Sequence, residues 1–226
     1  LCETLDALKT IAAATEKRDI TVLVGVPVRI DSVLYNCAAV LSGGRICGLV
    51  PKTFLPNYNE FYEKRWFASA RDLKRDTLDS LELGQSTSYP VPVSNRLVFT
   101  GRGGETFGVE ICEDLWTPLS PGTHLALSGA EMLFNLSASN ETIGKRAYRR
   151  EIVKTQSASA LCVYAYVSAG SGESTTDLIF SGHSVVAENG SILCENDALI
   201  DDDYLLCTDV DLGKIRADRR KLRSFS

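Results

Sequence analysis

The stretch Gly-Val-Glu-Ile-Cys-Glu-Asp-Leu at residues 108–115 places one thiol, Cys112, where an apolar strand ends and acidic residues begin. A side chain at the end of a strand is held by the sheet and can still meet a ligand, which suits a nucleophile. A second stretch, residues 52–63, reads Lys-Thr-Phe-Leu-Pro-Asn-Tyr-Asn-Glu-Phe-Tyr-Glu and combines a lysine with carboxylates and aromatic rings. Together the two stretches predict a site built from a thiol and an ammonium group.

The composition of the 226-residue chain indicates one ordinary globular domain, with 44% hydrophobic and 23% charged residues. No apolar run approaches the length of a membrane span, and no signal-peptide pattern opens the chain. We therefore expect a cytoplasmic protein without a membrane partner. The net charge of −5 argues against nucleic acid as a partner, because phosphate binding requires a basic face.

The seven cysteines are an odd number, and none of them forms a C-x-x-C pair. This spacing indicates neither a disulfide framework nor a zinc cluster, so we predict no metal site. Most of these cysteines are expected to be reduced thiols in the core.

Helical and strand-like patterns alternate along the chain, which predicts an α/β layer structure. Ser-Gly-Gly at residues 42–44 predicts a hairpin turn, residues 77–95 a polar surface excursion, and the basic residues 213–226 a solvated tail. The expected helices are residues 2–18, 119–130 and 143–160, and the expected strands are residues 20–28, 35–41, 45–50, 96–100, 106–112, 132–136, 161–167, 183–187, 191–194 and 204–210.

A neutral thiol is a poor nucleophile, so Cys112 requires either a base or a neighbouring cation. The chain contains two histidines, His124 and His183, and neither lies in a recognisable cysteine-protease context, which leaves a Cys-His enzyme open but unsupported. Lys52 offers the other solution, because an ammonium group beside the sulfur favours the thiolate and stabilises an oxyanion. Taken alone, Lys52 would be a solvated surface residue and Cys112 a small buried apolar group.

Residues 52–67 and 108–116 resemble the nitrilase, or carbon-nitrogen hydrolase, superfamily, and within it the glutaminase domain of glutamine-dependent NAD+ synthetase. The likeness runs in order from about Val24 to the C-terminus. The further segments that carry it are Asn-Leu-Ser-Ala-Ser-Asn at 135–140, Ile-Gly-Lys at 143–145, Gly-Glu-Ser-Thr-Thr-Asp-Leu at 172–178 and the ending at 219–225.

The resemblance implies a four-layer α-β-β-α sandwich over residues 1–226, in which two sheets face each other and helices cover the outsides. It also implies that a strand and a general-base glutamate precede the helix at residues 2–18. Glu3 lacks the surroundings of that base. We therefore expect the chain to lack its N-terminal strand and to expose a sheet edge. Acid-base assistance is worth about 10²–10⁴-fold in rate, which leaves turnover by the chain alone in question.

Residue by residue, the resemblance makes Cys112 the nucleophile and Lys52 the cation that stabilises the oxyanion, helped by the backbone N–H of Glu113. Glu60 matches the superfamily's second glutamate, which would hold the Lys52 ammonium in place. A buried lysine without a carboxylate nearby would tend to lose its proton. Glu63 is not expected to share this role.

The remaining site residues implied by the resemblance bind the substrate. Tyr58 and Phe61 match aromatic residues that line a glutamine pocket, and ordinary packing is an equal alternative for both. Ser139 and Lys145 match positions that contact the α-amino and α-carboxylate groups of the substrate, although Lys145 could also be simply exposed. Trp66 and Trp116 are expected to be walls of the site; these two tryptophans carry no reactive group.

The function implied is hydrolysis of the glutamine side-chain amide to glutamate and ammonia through a cysteine thioester, without a metal or organic cofactor. Ammonia would pass to an ATP- and Mg-dependent NAD+ synthetase domain. We expect this domain to be absent from the chain, because its pyrophosphate loop would show an Asp-Ser pair after Ser-Gly-Gly, and no such pair follows Ser42-Gly43-Gly44. Three alternatives stay open: a stand-alone amidase or nitrilase, a non-catalytic module of the same fold, and a flavodoxin-like ligand-binding domain. The superfamily also implies a homo-oligomer.

Overall fold

The computed structural model describes residues 1–197, 199 and 203–225 of the chain. The chain divides into two compact units, Leu1–Leu97 and Val98–Ser226. Each unit has a hydrophobic core of its own, so each contains apolar surface buried within that unit.

The first unit is built on a three-stranded antiparallel sheet in the order β1-β2-β3, with β1 at one edge. Gly43 and Gly44 both have positive φ in the turn between β2 and β3, which confirms the hairpin predicted from Ser-Gly-Gly. Its elements are the helix α1 (Cys2–Ala14) and the strands β1 (Thr21–Ile30), β2 (Val33–Ser42) and β3 (Arg45–Pro51), followed by the short pair β4 (Thr77–Asp79) and β5 (Pro90–Pro92).

The segment from residue 77 to residue 95, predicted as a polar surface excursion, is exposed over much of its length but also contributes apolar side chains to the core of the first unit. Leu78, Leu83, Val91 and Val93 are all buried, and they belong to the same apolar cluster as Leu49 of β3. Proline and serine residues between them give the segment its loop-like composition. Its few buried apolar side chains nevertheless anchor the segment to the core of the first unit.

The second unit is built on a six-stranded mixed sheet in the order β11-β10-β9-β8-β7-β6. Strands β7, β8 and β9 are parallel, so their carboxyl ends lie at one edge of the sheet. The strands are β6 (Val98–Thr100), β7 (Thr106–Ile111), β8 (Met132–Ser137), β9 (Val163–Ser168), β10 (Val185–Glu188) and β11 (Ser191–Glu195), and the helices are α2 (Pro121–Leu127), α3 (Lys145–Ser159) and α4 (Leu212–Lys221).

Most predicted elements of the second unit form with shifted ends. Helix α2 begins at Pro121 because Ser120 caps it, accepting a hydrogen bond from the Thr123 backbone N–H. Residues 203–210 form neither helix nor strand, so the strand predicted there is wrong. Tyr204 instead directs its hydroxyl to the Gly182 carbonyl.

The basic C-terminal segment is a docked helix, which corrects the prediction of a solvated tail; Ser226 lies outside the described residues. Arg216 of α4 forms an ion pair with Glu131. Arg219 donates to the carbonyl oxygens of Leu161 at 2.8 Å, Ala130 at 2.7 Å and Ala160 at 3.1 Å. Two of these carbonyls lie just past the end of α3 and the third just before β8. Helix α4 is therefore held by hydrogen bonds to backbone groups at the ends of neighbouring elements.

Within the described part of the chain, no helix combines the length and the apolar character that a membrane crossing requires.

Candidate active site

Cys112 sits on a sharp turn at the carboxyl edge of the parallel strands of the second unit. Strand β7 ends at Ile111, and a single 3₁₀ turn, Cys112–Trp116, follows at once. Cys112 has a φ of +47°, in the left-handed region that L-residues rarely adopt. Such a conformation costs about 1–3 kcal/mol and persists where the surroundings impose it. The thiol is partly exposed, so a ligand can reach it.

The side chain of Asn135 holds both polar groups of the Cys112 backbone. Its Oδ1 accepts the Cys112 N–H at 3.2 Å, and its Nδ2 donates to the Cys112 carbonyl at 3.4 Å. Ser137 donates its hydroxyl to the same Oδ1 at 2.7 Å. Asn135 is 1% exposed in the middle of β8, so these bonds are shielded from water.

Asp114 closes the turn from the other side. Its Oδ2 accepts the Ile111 backbone N–H at 3.1 Å, and the carboxylate is buried. The acidic residues after Cys112 therefore have a structural reason: a carboxylate satisfies the donor left over where the strand stops.

A buried carboxylate, Glu110, lies in β7 two residues before Cys112. Its Oε2 accepts the Gly122 N–H at 2.7 Å and the Ser120 hydroxyl at 3.0 Å, and Tyr164 donates to Oε1. Burial raises the pKa of Glu110, against the opposing effect of hydrogen bonds from Tyr164, Gly122, Ser120 and Asn135. Glu110 therefore ties the start of α2 to the strand that leads into Cys112.

At the same edge the buried Tyr166 hydroxyl of β9 faces the hydroxyls of Ser137 and Ser139. The buried Ser168 hydroxyl of the same strand has no hydrogen-bond partner among the described residues. Burial, and next the nearby Cys112 thiol, raise the pKa of Tyr166 to about 12. A buried hydroxyl without a partner is unusual, and it marks a place where a polar ligand group would fit. Neither residue was singled out from the sequence.

Lys52 in the first unit is a buried cation, 1% exposed, and is not the solvated residue it would be if taken alone. Its Nζ lies 2.6 Å from Oε2 of Glu63, which is 24% exposed. Asn36 donates to the other oxygen of Glu63 at 3.4 Å. Glu63 therefore places a carboxylate on the ammonium, so the prediction that Glu63 has no such contact was wrong. The role of Glu60 stays a prediction.

The reason lies in the path of the chain after β3. A 3₁₀ turn, Glu63–Arg65, begins where the Glu63 N–H donates to the Pro56 carbonyl at 3.1 Å. Ser69 donates its hydroxyl to the Thr53 carbonyl at 2.6 Å, which fixes the start of the segment. This compact path brings residue 63 back onto Lys52, and spacing along the sequence does not predict it.

The aromatic residues of the same segment are only partly covered within the structure described. Tyr58 is 52% exposed and packs edge-on against Phe61, with ring centroids 6.2 Å apart. Glu60 is half-buried. Trp66 is exposed, and the Arg65 guanidinium lies 5.2 Å from the centroid of its ring. Within the first unit Trp66 therefore forms no buried wall.

The predicted substrate-binding residues of the second unit occupy the segment that follows β8. Ser139 is buried, and its hydroxyl faces that of Tyr166. Lys145 opens α3 and directs its ammonium to the Asn140 side-chain oxygen. The same ammonium lies 5.7 Å from the centroid of the Trp116 ring, so Trp116 does line this part of the unit. Glu113, next to the nucleophile, is half-buried.

The two histidines have other surroundings. His183 is fully buried, with Nδ1 3.0 Å from the Arg149 guanidinium and Nε2 3.0 Å from Glu195. Because arginine can only donate, Nδ1 must accept and Nε2–H must donate, so both ring nitrogens are occupied. His124 is exposed on α2. This arrangement gives a Cys-His enzyme no support.

No group of three or more histidine, cysteine, aspartate or glutamate side chains could hold a metal ion within residues 1–197, 199 and 203–225.

Comparisons with known proteins agree on a family. The family model described as carbon-nitrogen hydrolase matches residues 2–220. A glutamine-dependent NAD(+) synthetase of Mycobacterium tuberculosis is 38% identical over 215 residues, which cover 93% of this chain and 31% of that protein. One from Rattus norvegicus is 28% identical over 228 residues, or 99% of this chain and 31% of that protein.

Solved structures give the same fold. The glutamine-dependent NAD(+) synthetase of Cytophaga hutchinsonii has a TM-score of 0.71 at 28% identity, over 86% of this chain and 30% of that one. A carbon-nitrogen hydrolase from Helicobacter pylori has a TM-score of 0.70 at 22% identity, over 99% of this chain and 73% of that one, and shows the fold alone. The predicted α/β fold of the nitrilase type is confirmed.

The chain belongs to the carbon-nitrogen hydrolase family, a family of enzymes. It spans 31% of the length of its mycobacterial relatives.

Proposed function

We propose that this chain is a glutaminase domain, which hydrolyses the side-chain amide of glutamine to glutamate and ammonia. The observation that carries the proposal is the partly exposed thiol of Cys112 on a strained turn at the carboxyl edge of parallel strands. Relatives named glutamine-dependent NAD(+) synthetase, at 38% identity, support glutamine as the amide.

In the proposed reaction the sulfur of Cys112 bonds to the side-chain carbonyl carbon of glutamine. The thiol loses its proton in this step. The carbon-nitrogen bond then breaks, the NH₂ group takes a proton and leaves as ammonia, and a γ-glutamyl thioester forms. Water attacks the thioester, so that glutamate is released and the thiol regains its proton. We assign the proton transfers to the glutamate that the resemblance places ahead of Leu1, and the steps need no metal or organic cofactor.

Lys52 supplies the positive charge in this proposal. We propose that its ammonium stabilises the oxyanion that develops on the amide oxygen, together with the Glu113 N–H. Two observations within the first unit support this role: Lys52 is buried, and a Glu63 carboxylate oxygen lies 2.6 Å from its ammonium. We propose that Glu60 lies at the same site, where it contributes to binding or to proton transfer.

The substrate would be held by the two charged groups attached to its α-carbon. Lys145 pairs with the α-carboxylate, and the Ser139 hydroxyl bonds to the α-ammonium group. Tyr58 and Phe61 cover the apolar methylene groups of glutamine. The exposure of Tyr58 supports this, because a ring half open to solvent is available to a ligand.

We propose further that the ammonia serves a synthetase domain of the same protein, which uses ATP and Mg to amidate nicotinic acid adenine dinucleotide to NAD+. The match to about the same third of several NAD(+) synthetases supports this. On the resemblance alone, we also propose a cytoplasmic homo-oligomer. Light scattering of the purified protein would determine its mass, and a monomer would exclude the oligomer.

The test is glutamate release by the complete encoded protein. We expect release from the wild type and at least about a 10⁴-fold loss in Cys112→Ala, because removal of a covalent nucleophile leaves little residual rate. Cys47→Ala, which removes an exposed thiol, should behave as the wild type. Chelation of Mg by EDTA should leave glutamate release intact.

Two outcomes would favour the alternatives. Equal or faster turnover of other small amides or nitriles would indicate a stand-alone amidase. No glutamate release from the complete wild-type protein would indicate a non-catalytic module.

A further inference from the structure

We propose that Asn135 is a positioning residue, which fixes the backbone of Cys112 and thereby the direction in which its sulfur points. The inference rests on the proposed amide hydrolysis and adds a residue to it. Asn135 itself need not contact the substrate.

The geometry of the contact is specific. Cys112 donates its N–H to Asn135 Oδ1 at 3.2 Å, and Asn135 Nδ2 donates to the Cys112 carbonyl at 3.4 Å. The two bonds lie on either side of the Cys112 α-carbon, so they constrain both φ and ψ. A side chain with one donor and one acceptor in a fixed plane meets this requirement, and a carboxylate or an alkyl group does not.

Cys112 needs such a constraint because its φ is +47°. A residue other than glycine leaves this region unless its surroundings hold it there. If the turn relaxed to a negative φ, the Cα–Cβ bond would swing and carry the sulfur away from its place at the edge of the sheet. The bonds from Asn135 act on the residue that carries the strain.

Asn135 is itself held rigidly. It is buried in β8 between β7 and β9, where the paired residues of the register are Glu110 and Tyr166. Ser137 donates to its Oδ1 at 2.7 Å. The backbone ladder holds the strand whatever side chain stands at 135, so the amide is not required to build the sheet.

The first experiment compares Asn135→Leu with the wild type in the complete encoded protein. The leucine keeps the volume and removes both hydrogen bonds to the Cys112 backbone, together with the Asn135 contacts to Ser137, Glu110 and Tyr164. We expect kcat for glutamate release to fall about 10²-fold, because small displacements of a reacting atom have effects of this size, while KM changes little. Alkylation of Cys112 by iodoacetamide, read by mass spectrometry, should slow in parallel. That readout does not depend on glutamine hydrolysis.

A second variant, Asn135→Asp, gives a signature that a merely structural role would not produce. The new carboxylate accepts the Cys112 N–H but repels the Cys112 carbonyl and the neighbouring Glu110. A protonated carboxyl group restores a donor at that place. The activity of this variant relative to the wild type should therefore rise as the pH falls.

Two controls set the scale. Ser137→Ala removes one bond to Asn135 and should reduce kcat by less than Asn135→Leu does. Ser157→Ala removes a buried hydroxyl of the same unit that bonds to the Cys162 carbonyl and the Gly190 N–H. We expect this variant to be less stable but to keep the wild-type kcat and alkylation rate.

The inference fails if Asn135→Leu keeps the wild-type kcat and alkylation rate; glutamate release by the wild type would then still uphold the proposed function. If the wild type releases no glutamate but Asn135→Leu slows alkylation, the proposed function fails and the positioning of the thiol stands. Should Asn135→Leu not fold, Asn135→Asp and Ser137→Ala decide: the inference is overturned if neither alters kcat or alkylation.

Discussion

The two units of the molecule hold their reactive groups by different physical means. In the first unit the Lys52 ammonium is buried, and an opposite charge on Glu63 holds it at 2.6 Å. In the second unit the Cys112 thiol stands on a strained turn, and the neutral amide of Asn135 holds its backbone. The charged partner compensates the charge of the buried ammonium, whereas the neutral partner fixes the direction in which the sulfur points. A cation and a nucleophile therefore need different supports.

The largest effect is expected from the cation itself. Lys52→Met should lower the rate of glutamate release by about 10²–10³-fold, because the oxyanion loses its stabilising charge. Steady-state kinetics of the complete protein would measure this change. Lys64→Met, at an exposed lysine of the same segment, is the matched control and should change little. A Lys52→Met enzyme with a near-normal rate would mean that the ammonium has no part in the chemistry.

The next largest effect is expected from Glu63, the charged partner of Lys52, and it is measured as a change in the free energy of unfolding. Glu63→Gln should lower the free energy of unfolding by up to about 3 kcal/mol, because it leaves a buried ammonium without its counter-charge while Glu63 itself is partly exposed. Glu60→Gln is the comparison and should cost less. Urea denaturation of both variants gives the difference. A larger loss in Glu60→Gln would support the assignment made from the sequence.

A variant of Arg219 tests whether a cation in the second unit stabilises the fold through hydrogen bonds to neutral groups. Arg219→Ala removes three hydrogen bonds to carbonyl oxygens. The free energy of unfolding should fall by about 2 kcal/mol, since bonds to charged groups are stronger than neutral ones. Lys214→Ala, at an exposed position of α4, should stay within about 0.5 kcal/mol of the wild type. Equal effects of the two variants would show that α4 is not docked through Arg219.

The smallest effect concerns pH. Burial lowers the pKa of His183, with hydrogen bonding to Glu195 as the next, opposing, influence. The unfolded chain therefore binds a proton that the folded chain does not, once the pH falls below the ordinary histidine value of about 6.5. Stability should decline there by at most about 1.4 kcal/mol per pH unit. The difference between the wild type and His183→Gln isolates this effect, and parallel pH curves for the two proteins would exclude it.

The fold could be predicted where local chemistry decides it. Gly43 and Gly44 predict the hairpin. The change from apolar to acidic residues at Cys112 predicts the end of β7, where the Asp114 carboxylate accepts the last backbone N–H of the strand. Both signals act within a few residues. The core contribution of residues 77–95 and the docking of the C-terminal helix were missed, because a few buried leucines and the carbonyl partners of Arg219 become visible only once distant segments are packed.

The candidate site, too, could be predicted only where residue type and local motif decide it. The positions of Cys112 and Lys52 stood out by residue type and motif, and Lys52 proved to be buried. The contact of Glu63 with Lys52 depends on a 3₁₀ turn, which spacing does not reveal. Asn135 left one signal that could have been used: an asparagine within the apolar run Met-Leu-Phe-Asn-Leu-Ser of β8 is a buried polar group, and such groups have partners.

The central claim is that the thiol of Cys112 and the ammonium of Lys52 act in one site. The most direct measurement is the distance between the Cys112 Sγ and Lys52 Nζ atoms in a crystal structure of the complete protein. We expect a separation within about 4–6 Å, the range over which a cation stabilises an anion. A separation well beyond that range, with the two groups directed apart, would contradict the account.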